Sequence, residues 1–129
     1  MFQNLDIFKN AFEMARHAGQ RQAIATRNIA NVDTPDFKAK DLTPFHDLVS
    51  SEQPTSDWRT TNPKHFPKPD GQIGRAQIMV DDTGYQEPNG NTVSIETELL
   101  RAADIEKQHN RALSIYRSGM NILRGSLGK

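Results

Sequence analysis

Apolar side chains recur in steps of four and three over the last third of the chain. From Ile95 the pattern runs through Leu99, Ala102, Glu106, His109, Leu113, Tyr116, Met120, Leu123 and Leu127, and eight of these ten positions are apolar. A repeat held this long is coiled-coil spacing rather than a broad globular face, and it predicts a helical segment over 93–129. Ser94 is placed as its N-cap, with Glu96 and Glu98 in the first turn where the helix dipole favours acid. Arg111, Arg117, Arg124 and Lys129 give the second half the matching polarity. Gly119, Gly125 and Gly128 each weaken a helix by about 1 kcal/mol relative to alanine, so they mark close helix approach or a frayed end. Glu106 and His109 interrupt the stripe and would need partners or water if buried.

The first thirty residues carry a thinner version of the same pattern. Leu5, Phe8, Phe12, Ala15 and Gly19 keep helical spacing, and after polar Gln22 and Thr26 the stripe resumes at Ile29, widened by Ala18, Ile24 and Ala25. This predicts a helix from about Leu5 to Asn31, roughly 40 Å long at 1.5 Å per residue. Pro35 stops it, because the residue before a proline is pushed out of the helical region. Asn31, Asp33 and Thr34 can bond their own backbone and so turn the chain away.

Between the helices, periodicity disappears. All seven prolines lie between residues 35 and 88, with turn signals at Pro69-Asp70-Gly71, Asp82-Thr83-Gly84 and Pro88-Asn89-Gly90. Gln77-Ile78-Met79-Val80 reads as a strand that pairs locally, Asp41 to Val49 as a short helical turn, and 50–72 favours no element. The expected organisation is therefore mainly α. An N-terminal helix (1–34) and a C-terminal helix (93–129) form one domain, with an irregular, β-containing segment (35–92) between them.

Composition narrows the function. The chain has 129 residues, of which 35% are hydrophobic, and a mean hydropathy of -0.73, which leaves little for a large core. Net charge is zero, with two mildly basic ends and an acidic middle, which argues against a nucleic-acid partner. No cysteine is present, so disulfide and thiolate chemistry are excluded. The N-terminus lacks the pattern of a signal peptide, and no run reaches the roughly 18 apolar residues of a membrane span. The four histidines (17, 46, 65 and 109) are scattered, Asp81 and Asp82 are adjacent and would face opposite sides of a strand, and no phosphate loop occurs. His17 and His109 read as helix-surface or seam residues, and Trp58 as a surface or small-cluster residue. Neither an enzyme nor a cofactor or metal site is expected.

Two motifs identify a family. Arg27 to Lys38, and within it Asn28, Ala30, Asn31, Asp33, Thr34, Pro35 and Phe37, resembles the signature that ends the first helix of bacterial flagellar rod and hook proteins, Ala-Asn-x-x-Thr-Pro-Gly-Phe/Tyr. Asn91 to Glu98 resembles their Asn-x-Val-Asp-Leu-x-x-Glu pattern, and Thr61, His65 and Phe66 resemble an element of a proximal rod member. The short length also points to the proximal rod proteins. Asp36 stands where the family usually has glycine and Ser94 where it usually has aspartate; if position 36 needs a positive φ, Asp36 carries a steric cost.

The resemblance implies that the terminal helices pack as an antiparallel coiled coil and assemble into the inner tube of an axle, the middle segment forming an outer lobe. It implies export through the flagellar type III apparatus without signal cleavage, and a location in the basal-body rod in the periplasmic space. The partners it implies are further copies of the chain, the rod protein FlgC, the adaptor FliE and the export gate, with no cofactor. The assembly seam would use Leu5, Phe8, Phe12 and Ile29 with the ten-position stripe from Ile95 to Leu127, within the chain or between neighbouring subunits. The alternatives are FlgC itself within the family and, from another class, a small helical secretion chaperone or adaptor.

Overall fold

The computed structural model describes the backbone of residues 2–50 and 76–128, and the side chains of 5–50 and 76–128. Thr61, His65, Phe66, Trp58 and the turn at 69–71 lie outside the described residues. Helix α1 spans Phe2–Ala30, strand β1 Lys40–Leu42, helix α2 Phe45–Ser50, strand β2 Ile78–Val80 and helix α3 Ile95–Ser126. The structure is mainly helical: two long terminal helices pack together and a two-stranded sheet lies between them in sequence.

α1 and α3 run antiparallel. Phe8 meets Tyr116 near one end, His17 meets Gln108 in the middle, and Asn28 meets Glu98 at the other end. Their interface is built from small side chains: Ala11, Ala18, Ala25 and Ala112 are buried, with Ile105 as the one large aliphatic among them. Gly119 sits so close to the Phe8 ring that a Cβ there would lie 3.0 Å from it, which explains the glycine in mid-helix as a close approach. As the spacing predicted, Ser94 caps α3, accepting from the Thr97 N–H at 3.5 Å.

The strands pair antiparallel, with Lys40 opposite Val80 and Leu42 opposite Ile78. Here two expectations are corrected. The strand at 78–80 does not pair locally but reaches back to β1, and Asp41 and Leu42 belong to that strand while the helical turn begins only at Phe45. Ala39, Leu42, Leu48 and Val93 are buried outside the helix pair. Three-residue strands give no alternation long enough to read from sequence, and their pairing depends on contacts nearly forty residues apart.

Candidate functional site

The turn leaving α1 is held by one side chain from the far side of the sequence. Asn91 is fully buried, and its Nδ2 donates toward the carbonyls of Asn31 (2.9 Å), Val32 (2.8 Å) and Thr34 (2.8 Å) while its Oδ1 accepts from the Val93 N–H at 2.7 Å. Within the turn, Thr34 Oγ1 donates to Asn31 Oδ1, Asn31 Nδ2 donates to the Arg27 carbonyl, and the Phe37 N–H returns to the Thr34 carbonyl. Ala30, Asp33 and Pro35 are exposed on it, and Phe37 is half-buried. Asp36 adopts φ 59°, the left-handed conformation that glycine would take more easily. Its N–H bonds the Asn89 carbonyl, and Gly90 (φ 86°) passes so near that a Cβ would collide with the Asp36 carboxylate. The two family motifs therefore form one clamp.

Beside the clamp lies a charged cluster joining α1, β1, α3 and Asp81, the residue that follows β2. Asn28, buried in α1, donates to the Lys40 carbonyl (2.7 Å) and to Glu98 Oε1 (3.1 Å) and accepts from the Lys40 N–H. Arg21 holds Asp41 through two bonds of 2.8 Å. Arg101 reaches Asp41 (3.2 Å), Asp81, and Glu98 Oε1 (2.6 Å). Burial pushes Asp41 up, but the Arg21 hydrogen bond and the Leu42 N–H outweigh it and hold the carboxyl below its usual range. Asp81 is also lowered, first by the Thr83 hydroxyl and then by Arg101. Arg21 is raised, mainly by its bond to Asp41. Glu98 moves the other way: burial raises it, against the opposing pull of Arg101 and Asn28.

Along the helix pair, the seam and the apolar stripe are different faces. In α3 the residues turned to α1 are Glu98, Arg101, Ile105, Gln108, Ala112, Ile115 and Gly119, each one position before a member of the predicted stripe. In α1 they are Ala11, Met14, Ala18, Arg21, Ala25 and Asn28, again one position early. One residue is about 100° of helix rotation. Because the helices are antiparallel, the same offset on both turns both stripes to the same side of the pair. Phe12 (66% exposed) and Leu99 (60%) stand there largely uncovered, as do Leu5 and Leu127, while Tyr116 (47%), Leu113 (38%), Ile29 and Ile95 are partly exposed. Ala102 is half-buried, and the stripe joins the contact within the chain only toward the far end, where Phe8 packs edge-on against Tyr116 and Met120 and Leu123 are half-buried.

Between the helices on this side lies an open groove of about 590 Å³, lined by residues 18, 19 and 22 of α1 and by Leu99, Ala102, Ala103, Ile105, Glu106 and His109 of α3. Glu106 and His109 thus lie on its exposed wall, not in the seam. His17 is a seam residue: its Nε2–H donates to the Thr43 carbonyl and its Nδ1 accepts from Gln108. Sequence reasoning missed Arg21, Asp41, Asp81, Arg101 and Gln108. The only signal was Glu98 and Arg101 three apart on one helix.

The chain is 29% identical over 119 residues to the flagellar basal body rod protein FlgB of Agrobacterium fabrum, covering 90% of this chain and 88% of that one. It is 29% identical over 104 residues to that of Bacillus subtilis (81% and 79%). With that of Aeromonas hydrophila it shares 33% identity over 100 residues, covering 70% of this chain and 72% of the relative. The chain belongs to the FlgB family. No protein-family model matches it. FlgB proteins are rod components of the flagellar basal body by name, and no helix among the described residues is long and apolar enough to cross a membrane.

Proposed function

We propose that the chain is a structural subunit of the proximal rod at the export-gate end of the flagellar axle, where it self-assembles through its terminal helices. The observation that carries this reading is the division of each helix into two faces. Small residues bind α1 to α3 inside one chain, while Phe12, Leu99, Leu113 and Tyr116 are left in a row on one side of the pair. An uncovered apolar row of this length is an interaction surface rather than scattered exposure. Other copies of the chain cover it in the assembly, with FlgC and FliE as the neighbours at either boundary. The two helices form one axial domain and the 35–92 segment an outer lobe. Export through the type III apparatus without signal cleavage brings the subunit to the periplasmic rod.

The test is Leu113→Asp in a flagellated host lacking its own copy of the gene. Leu113 is 38% exposed within the chain; with the variant's cellular level checked to be that of the wild type, a charge buried between subunits stops incorporation and motility is lost. Normal swimming by this variant would overturn the assignment of the stripe.

A further inference from the structure

The charged cluster between the helix pair and the strands does not balance. Two guanidinium groups, Arg21 and Arg101, face three carboxylates, Asp41, Asp81 and Glu98. Glu98 is the most deeply placed of the three, with 1% of its surface exposed. Its Oε1 takes both of its hydrogen bonds, from Arg101 and Asn28, and its Oε2 is buried with no hydrogen-bond partner among the described residues. The other two carboxylates are better served: Asp41 has Arg21, Arg101 and the Leu42 N–H, and Asp81 has Arg101 and Thr83.

The groups facing Glu98 come from every element packed on it. α1 supplies Asn28 and, across Asp41, Arg21; β1 supplies Asp41; the end of β2 leads to Asp81; α3 supplies Arg101. Asp104 adds a more distant negative charge near Arg21. Arg101 is divided among Glu98 Oε1 and both aspartates and Arg21 is held by Asp41, so an ionised Glu98 would leave its Oε2 desolvated and one negative charge in excess. A protonated Glu98 leaves only a neutral hydroxyl unpaired, which costs far less to bury.

We propose that Glu98 is a proton-operated latch: uncharged it closes the junction between the helix pair and the two-stranded lobe, and ionised it loosens that junction. Asn28 is the element through which it acts. The same amide that donates to Glu98 also donates to the Lys40 carbonyl while accepting from the Lys40 N–H, so displacing Glu98 disturbs the tie between α1 and β1. The direction is consistent with the raised carboxyl of Glu98. A group whose folded-state value is raised binds its proton more tightly when folded, so it favours the folded junction at low pH and ceases to do so as pH rises through that value. Asp41 and Asp81, which are lowered, behave oppositely and lose their contribution only at more acid pH.

The experiment compares the full chain with Glu98→Gln, which keeps the acceptor for Arg101 and Asn28 and is always neutral. Urea midpoints are followed from about pH 5 to 8, above the ordinary carboxylate range. The wild-type midpoint is expected to fall across this window relative to the variant, because the histidines common to both chains cancel in the comparison. Parallel profiles would overturn the latch. Should the variant fail to fold, ¹³C titration of the wild-type glutamate carboxyls decides the matter: one glutamate with a midpoint well above the others supports the latch, and uniform ordinary titration overturns it. Neither measurement depends on rod assembly, so a failed latch leaves the rod reading untouched.

Discussion

Replacing Asn91 with alanine isolates the clamp that closes the first helix. The side chain is fully buried and its two amide hydrogens are shared among three carbonyls, while its oxygen takes the buried Val93 N–H. Two donated bonds contribute about 1 kcal/mol each, and leaving the Val93 N–H unpaired costs a further ~1–3 kcal/mol. Asn31 and Val32 are half-buried and Thr34 is exposed, so water reaching their freed carbonyls would keep that part of the cost small. The expected loss is therefore about 3–5 kcal/mol, a large part of the stability of a small domain. With a urea dependence of about 2 kcal/mol per molar, the midpoint should drop by about 2 M. Asn91→Asp should be worse at neutral pH, because it keeps the acceptor for Val93 but turns a carboxylate oxygen toward three carbonyl oxygens. A loss under about 1 kcal/mol for Asn91→Ala, at unchanged slope, would show that the turn holds itself.

Gly90→Ala should cost about 2 kcal/mol or more, combining a positive φ with a collision against Asp36; adding Asp36→Gly should recover part of that loss in the same urea assay. Because Arg21 holds Asp41 low and the Thr83 hydroxyl with Arg101 holds Asp81 low, stability present above the usual aspartate range should fall as pH drops below about 4, and Arg21→Gln should flatten that part of a thermal-melt series. Amide exchange in the isolated chain should be slowest at 17–31 and 91–108, beside the clamp and cluster, and fastest toward residues 2–8 and 120–128; uniform protection along both helices would contradict the stripe's reliance on neighbours.

The sequence makes the helices readable because their four-three repeat is strong, and it locates the cap at Ser94, the turn at Pro88-Asn89-Gly90 and the stop before Pro35. It points to the stripe as the assembly seam, within the chain or between subunits, because Leu99, Leu113, Tyr116 and Met120 supply the bulky apolar side chains of the repeat. Internally, however, alanine and Gly119 win: closely approaching helices need small side chains, and alanine carries little hydropathic signal in a polar helix. Asn28 and Glu98 read as motif letters, and only the folded chain brings them to 3.1 Å across seventy positions. The partner of β2 was invisible for the same reason, since nothing local in Lys40-Asp41-Leu42 specifies Ile78 to Val80.

Because seam and stripe lie one residue apart, neighbouring positions on one helix should give opposite genetic behaviour. Damage at Ala112 or Ala18 removes the folded chain, so it should be recessive: a second, intact gene supplies the axle alone. On the proposed reading, damage at Leu113 or Phe12 leaves a well-formed subunit that still competes for export but is not incorporated, so it obstructs the intact copies. Such alleles should be dominant.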